Sequence, residues 1–235
     1  MVYKGEQVVQ TTIPIDRVNS ANFSNYHAQD NQQTLTLLQD FLNDEKLCGS
    51  CYIWGERGTG KSHLLYASCK QFSSSVYVPL LDLQLQPDVL TAVVKYRLVC
   101  IDDIDAVACQ TDWESQLLIL LENTEKNGNL LVLTGDRPPV DLHFDSNDLV
   151  NRLQGRRVFK LSSASDQTKV RMLVDRAKER GLTVEPAVAE FILRRHARDT
   201  HSLMRLFNRV AQASLESRRR ITIPFLRELD EFKSY

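Results

Sequence analysis

The sequence predicts an α/β fold, a parallel sheet covered by helices, followed by a small all-α domain. Three observations carry this. Short apolar runs alternate with helical periodicities through the first two thirds of the chain. A glycine-rich loop, Gly55-Glu56-Arg57-Gly58-Thr59-Gly60-Lys61-Ser62, stands between the first of those runs and the helix that follows it. After Leu161 the apolar runs stop and only helical spacing continues.

Taken in order, residues 1–29 are polar, contain Pro14 and have no clear period, so they read as an arm. Leu35, Leu38, Phe41 and Leu42 fall at helical spacing and predict a helix over 30–43. Residues 51–55 form a short apolar strand ending in glycine, and helical pattern resumes over 61–72. Strands are predicted at 76–81, 98–101, 130–136 and 158–161, with helices at 87–95 and 113–126 between them. In such a sheet, ligands bind outside the C-terminal strand ends. Ser162 to Gln167 is a polar joint with serine or aspartate available as a helix cap, and helices are expected at 166–180, 186–197 and 200–217. Gly181 stops the first of these, and Thr222-Ile223-Pro224 restarts a short helix. The division is therefore an arm at 1–29, an α/β domain at 30–163 and a helical domain at 164–235.

Composition bounds the function. The 235 residues are 43% hydrophobic and 25% charged, an ordinary globular balance, with a formal net charge of -1. A protein that grips DNA mainly by neutralising phosphates usually carries a basic bias, which is missing here, although a local basic face stays open. Runs such as Arg218-Arg219-Arg220 read as solvated helix faces. No apolar run approaches the roughly 18 residues of a membrane span, and the N-terminus lacks the apolar core of a signal peptide, so a cytoplasmic location is expected. The five cysteines agree with that location; Cys51 and Cys100 sit inside apolar runs and read as buried thiols. Cys48 and Cys51 have C-x-x-C spacing, but no second pair completes a zinc site.

Residues 55–62 fit G-x-x-x-x-G-K-[ST]. Gly55, Gly58 and Gly60 free the backbone of the loop, including Arg57 and Thr59, to turn its N–H groups around phosphate oxygens. Lys61 should reach the terminal phosphates, Ser62 should ligate Mg²⁺, and the following helix directs its positive end at the anion. Four apolar residues, Leu98 to Ile101, then lead into Asp102 and Asp103, the Walker B arrangement. Asp102 would hold Mg²⁺ together with Ser62, and Asp103 stands where a general base or water-orienting acid belongs. Asp105 reads as a solvated residue or helix cap.

The chain resembles the Hda family of AAA+ proteins, and more broadly the ATPase region of the replication initiator DnaA. The stretches that carry the resemblance are Asn22-Phe23-Ser24-Asn25-Tyr26, Asp30-Asn31, Gly60-Lys61-Ser62-His63-Leu64-Leu65, Leu98 to Asp103, Thr134 to Pro139, and Ile221-Thr222-Ile223-Pro224-Phe225. The resemblance implies an AAA+ sheet with a helical lid, and adenine nucleotide, ADP or ATP, with Mg²⁺ as cofactors. It puts Phe23, Tyr26 and His63 around the nucleotide. Asp136 takes the sensor 1 place, an ordinary capping aspartate being the other reading. Arg152 becomes an arginine finger projecting into a neighbouring protomer's site, with Arg156 and Arg157 as rivals. The sensor 2 arginine of relatives is matched here by His201, and Arg205, one turn later, could substitute. AAA+ ATPases commonly carry glutamate where Asp103 stands, so intrinsic hydrolysis should be slow. Gln10-Thr11-Thr12-Ile13-Pro14-Ile15 resembles a degenerate sliding-clamp peptide, with Gln10 at the pocket rim and Ile13, Pro14 and Ile15 forming its apolar part.

The resemblance further implies a negative regulator of replication initiation. Together with the DNA-loaded sliding clamp, the β subunit of DNA polymerase III, such a protein stimulates hydrolysis of DnaA-bound ATP. DnaA and the clamp are the implied partners, with a homo-oligomer also open and DNA reached through the clamp. A stand-alone AAA+ ATPase or helicase-loader-like factor is the alternative. An initiator's helix-turn-helix module is not expected, because the chain ends at Tyr235, right after the lid.

Overall fold

Five short strands build one parallel sheet in the order β2-β3-β4-β1-β5. They are β1 (Gly49–Trp54), β2 (Ser75–Pro79), β3 (Leu98–Asp102), β4 (Leu130–Gly135) and β5 (Arg157–Lys160). The computed structural model describes residues 21–44, 48–195, 199–229 and 232. Gln10, Ile13, Pro14 and Ile15 lie outside the described residues.

The period-two alternation of the strands divides their side chains between two apolar layers. Cys51, Ile53, Leu98, Cys100, Leu130, Val132 and Phe159 face one layer, completed by Leu35, Leu38, Phe41 and Leu42 of α1 (Gln32–Asn43) and by Leu64 and Leu65 of α2 (Lys61–Cys69). Tyr52, Val99, Ile101, Leu131 and Leu133 face the other. That second layer is closed by Leu90 of α3 (Val89–Ala92), by Trp113, Leu117, Leu120 and Leu121 of α4 (Thr111–Lys126), and by Leu149 and Leu153 of α5 (Asn147–Gln154). Because both faces are covered, the strands read as continuous apolar runs.

The remaining helices are α6 (Asp166–Glu179), α7 (Pro186–Arg195), α8 (Thr200–Ser217) and α9 (Ile223–Glu228). They enclose a core of their own, including Leu173, Ile192, Leu203, Phe207, Val210 and Leu226. Their starts are capped by side chains, Ser165 in the joint where a cap was expected: Ser165 accepts from Thr168 N, Asp199 from Ser202 N and Thr222 from Phe225 N. Among the described residues no helix is long and apolar enough to cross a membrane.

Several bounds shift, the helix expected over 61–72 ending at Cys69 and the strand expected at 76–81 spanning Ser75–Pro79, and two elements differ further. The stretch 87–95 holds only the four-residue α3 and a 3-10 turn at Val93–Lys95. The helix expected to open at Asp30 begins at Gln32, because Asp30 and Asn31 are used elsewhere. Asp30 Oδ2 accepts from Ser165 N at 3.0 Å and from Thr168 Oγ1 at 2.8 Å, tying this segment to the start of α6. Asn31 pairs with Ser162 through both backbone groups, Nδ2 to O at 3.0 Å and N to Oδ1 at 2.7 Å.

Candidate nucleotide-binding site

The loop after β1 turns through two left-handed glycines, Gly58 at φ +87° and Gly60 at φ +96°. A Cβ on Gly60 would stand 2.6 Å from Tyr26 Cε2, and one on Gly58 would stand 3.3 Å from Thr200 N. The loop thus lies close between the segment before α1 and the start of α8, with no room for a side chain at Gly60 and little at Gly58. Such a cradle of backbone N–H groups ahead of a helix N-terminus suits a phosphate chain. Lys61, only 7% exposed, donates Nζ to Gly55 O at 2.7 Å, which keeps its ammonium at the loop. Thr59 is buried and returns its hydroxyl to Glu56 O at 2.9 Å. Ser62 is half-buried in the first turn of α2.

The acids sit at the C-terminal end of β3. Asp102 is 2% exposed, and both of its oxygens accept from hydroxyls. Tyr77 Oη donates to Oδ2 at 2.6 Å, and Thr134 Oγ1 donates to Oδ1. Thr134 Oγ1 also accepts from Asp103 N at 3.1 Å. Asp103 itself is left-handed at φ 56°, a conformation aspartate tolerates better than most residues. Burial first, and the Asp102 charge second, push its carboxyl up to about 7, against the pull of Lys61. Asp105, expected to be solvated or a cap, lies half-buried and accepts from Asp136 N at 3.1 Å, joining the turn after β3 to the end of β4. Burial and the Asp136 charge raise its carboxyl as well. Asp136 is exposed, 3.7 Å from Arg137 Nε.

Around the loop stands a wall of aromatic and polar groups. Tyr26 Oη donates to Thr59 O at 3.0 Å and accepts from Asn31 Nδ2 at 3.3 Å. His63, its ring centroid 5.6 Å from that of Tyr26, is 2.9 Å through Nε2 from Asn22 O. Burial lowers its pKa. Phe23 opens a 3-10 turn whose reciprocal cap is made by Asn22 and Asn25. From the other side, the backbone of Thr200 and His201 approaches Gly58. Arg57 and His201 both help to lower the Asp199 carboxyl, after the Ser202 N–H that does most of it. Arg205 is exposed on the next turn of α8.

Arg152 belongs to the opposite layer of the sheet. Its guanidinium pairs with Glu122 of α4 at 2.9 Å and with Asp148 at 3.3 Å, with 31% of the side chain exposed. Its rivals are engaged differently: Arg156 pairs with Glu125, and Arg157 lies over the Phe41 ring at 5.4 Å. The start of α5 is held by a group that sequence reasoning missed. Glu114, 2% exposed, accepts from Cys109 N at 2.9 Å, Asp145 N at 3.1 Å and Ser146 N at 2.8 Å.

The structure therefore gathers residues 55–62, Asp102, Asp103, Tyr26 and His63 at one end of the sheet, brings the start of α8 to the loop, and leaves Arg152 on α5. Tyr77 and Glu114 were not singled out, and Asn31 and Thr134 entered only within stretches that carry the resemblance. The donor set fits Mg²⁺-nucleotide: one hydroxyl at Ser62, one buried carboxylate at Asp102, and a phosphate cradle. Among the described residues no group of three or more His, Cys, Asp or Glu could hold a metal. A cation here would draw most of its ligands from phosphate and water.

Comparison with known proteins agrees with this geometry. Residues 166–229 match the family model of the Hda lid domain. Domain III of the Thermotoga maritima replication initiation protein DnaA shares the fold at a TM-score of 0.77 and 17% identity, over 92% of this chain and 98% of that one. AMPPCP-bound DnaA from Aquifex aeolicus matches at 0.69 and 17%, over 84% and 67%. The Thermotoga maritima RuvB Holliday junction branch migration motor matches at 0.67 and 16%, over 92% and 75%. The chain thus shares its fold with these proteins, and its residues 166–229 match the Hda lid domain.

Proposed function

We propose that this protein is a nucleotide-bound negative regulator of replication initiation, which stimulates hydrolysis of ATP held by DnaA when a DNA-loaded sliding clamp is present. Its own site holds adenine nucleotide and Mg²⁺ through residues 55–62, Asp102 and Asp136, with Phe23, Tyr26 and His63 around the base and sugar and His201 or Arg205 reaching from the lid. The cation screens the phosphate charge. The chain's own groups orient the phosphates, and Asp103 stands beside them as the candidate base. An aspartate here is one methylene shorter than the usual glutamate, which supports slow turnover.

The observation that carries the regulatory reading is the position of Arg152. It is partly exposed on α5, in the sheet layer opposite the one that packs α2, and is held by Glu122 and Asp148. A guanidinium presented outward in this way suits a neighbour's developing phosphate charge better than its own protein's. The Hda lid over 166–229 points to DnaA as that neighbour. The arm peptide with Gln10, Ile13, Pro14 and Ile15 would bring the protein to the clamp and raise its effective concentration there.

The test is a reconstitution with ATP-loaded DnaA, DNA-loaded clamp and this protein. DnaA-bound ATP should decay faster only when all three are present. Arg152→Ala should abolish the stimulation, by the 10³-fold or more typical of such fingers at full effect, while leaving nucleotide and clamp binding intact. Equal stimulation by the variant would remove Arg152 from the mechanism. The acidic pair Asp102-Asp103 supports a second reading, a stand-alone AAA+ ATPase or loader. Substantial ATP turnover by the purified protein without DnaA would favour it.

A further inference from the structure

Tyr77 reaches the acidic end of β3 from outside the nucleotide motifs. It stands on β2, the edge strand, in register with Cys100 of β3. Its ring packs on Tyr66 of α2, with centroids 4.3 Å apart, and its hydroxyl donates to Asp102 Oδ2 at 2.6 Å. Thr134, from β4 on the other side of β3, donates to Oδ1. One carboxylate is therefore pinned at both oxygens by hydroxyls from the two strands that flank its own.

An unpinned aspartate has a broad terminal torsion, so its oxygens sweep a wide arc. Mg²⁺ demands near-octahedral geometry and tolerates that sweep poorly. Each carboxylate oxygen has two lone-pair directions. A hydroxyl that takes one direction on each oxygen fixes the plane and leaves the second directions open. We propose that Tyr77 is a positioning residue for the divalent cation: its hydroxyl, with that of Thr134, sets the carboxylate plane of Asp102 toward a cation at the nucleotide phosphates. This rests on the nucleotide reading above. Because the Tyr66 ring holds the Tyr77 ring in place, the hydroxyl is aimed by the helix that also begins the phosphate site. Outer-shell partners of this kind typically change metal affinity by 10–100-fold when removed.

Tyr77→Phe removes the hydroxyl and keeps the ring contact with Tyr66. The experiment titrates Mg²⁺ into the full chain with a fluorescent ATP analogue, alongside analogue binding in EDTA and thermal unfolding without nucleotide. The Mg²⁺ concentration for half-maximal response should rise about 10-fold in Tyr77→Phe, with EDTA binding close to wild type and the unfolding temperature lowered only by the loss of one buried hydrogen bond. Thr134→Val should shift the Mg²⁺ response in the same direction, and Thr134→Ser should restore it. An unchanged or lowered Mg²⁺ requirement in Tyr77→Phe overturns the proposal while leaving nucleotide binding standing. So does an equal loss of binding in EDTA, which would mark the hydroxyl as merely structural. Failure of the wild type to bind the analogue at all would overturn the nucleotide reading, and this proposal with it.

Discussion

Tyr26 and Gly60 share one space: a side-chain carbon on the glycine would lie 2.6 Å from the tyrosine Cε2, while the tyrosine hydroxyl holds the carbonyl of Thr59 at 3.0 Å. The loop is thus bounded by a residue 34 positions away, and a side chain at Gly60, whose φ is +96°, would need that ring to move. Gly60→Ala should lower stability by about 1–3 kcal/mol, from the left-handed penalty plus the overlap. It should weaken adenine nucleotide binding by more than 10-fold. Equilibrium titration and chemical denaturation together check this. Wild-type affinity in the variant would show that the loop does not need this shape.

Asp103 sets a compromise between backbone and chemistry. At φ 56° aspartate is tolerated where longer side chains are less so. Asp103→Glu should raise single-turnover ATP hydrolysis several-fold by extending the carboxylate, and lower stability by about 1 kcal/mol through backbone strain. Asp103→Asn should remove hydrolysis while binding persists. If Glu and Asn variants hydrolyse ATP at the wild-type rate, the acid at this position takes no part in the chemistry.

Glu114 should be among the costliest surface-remote residues to lose. Its carboxylate satisfies three backbone N–H groups, of Cys109, Asp145 and Ser146, from a nearly closed position. Glu114→Ala leaves those donors without their acceptor and should destabilise the chain by about 2–4 kcal/mol. Glu114→Gln, which retains one acceptor oxygen, should fall between. Hydrogen exchange should speed up first at the amides of 145–150, where α5 begins. Uniform exchange with unchanged stability would contradict this role.

Asp30 predicts a pH dependence with a definite sign. The Ser165 N–H, with the Thr168 hydroxyl second, holds its carboxyl below the ordinary 3.8 in the folded protein. The unfolded chain therefore binds the proton more readily, so the contribution is complete above about 3.8 and is lost as pH falls through the lower folded value. Asp30→Ala should cost at most about 1 kcal/mol near neutral pH, since the group is exposed and screened. Denaturant midpoints should show that gap constant from neutral pH down to the ordinary carboxylate range and narrowing below it. A gap that already changes between pH 7 and 5 would require another group.

Much of the architecture was legible before any coordinates. Apolar strand runs, helical periods and the cap expected in the joint before 166 are local signals, because hydrogen bonds and side-chain alternation within a few residues create them. The glycine-rich loop and the Asp102-Asp103 pair were equally readable as motifs, since their residues lie in consecutive positions. What only the tertiary structure decided is how distant segments finish the site: Tyr77 and Thr134 on Asp102, Tyr26 and Asn31 on the loop and the exit of β5, Asp30 on the lid helix, Glu114 on the start of α5. These pairs are separated by 25 to 135 residues. No local pattern encodes them, because each polar group finds its partner only after the sheet and helices have packed and removed the competing water.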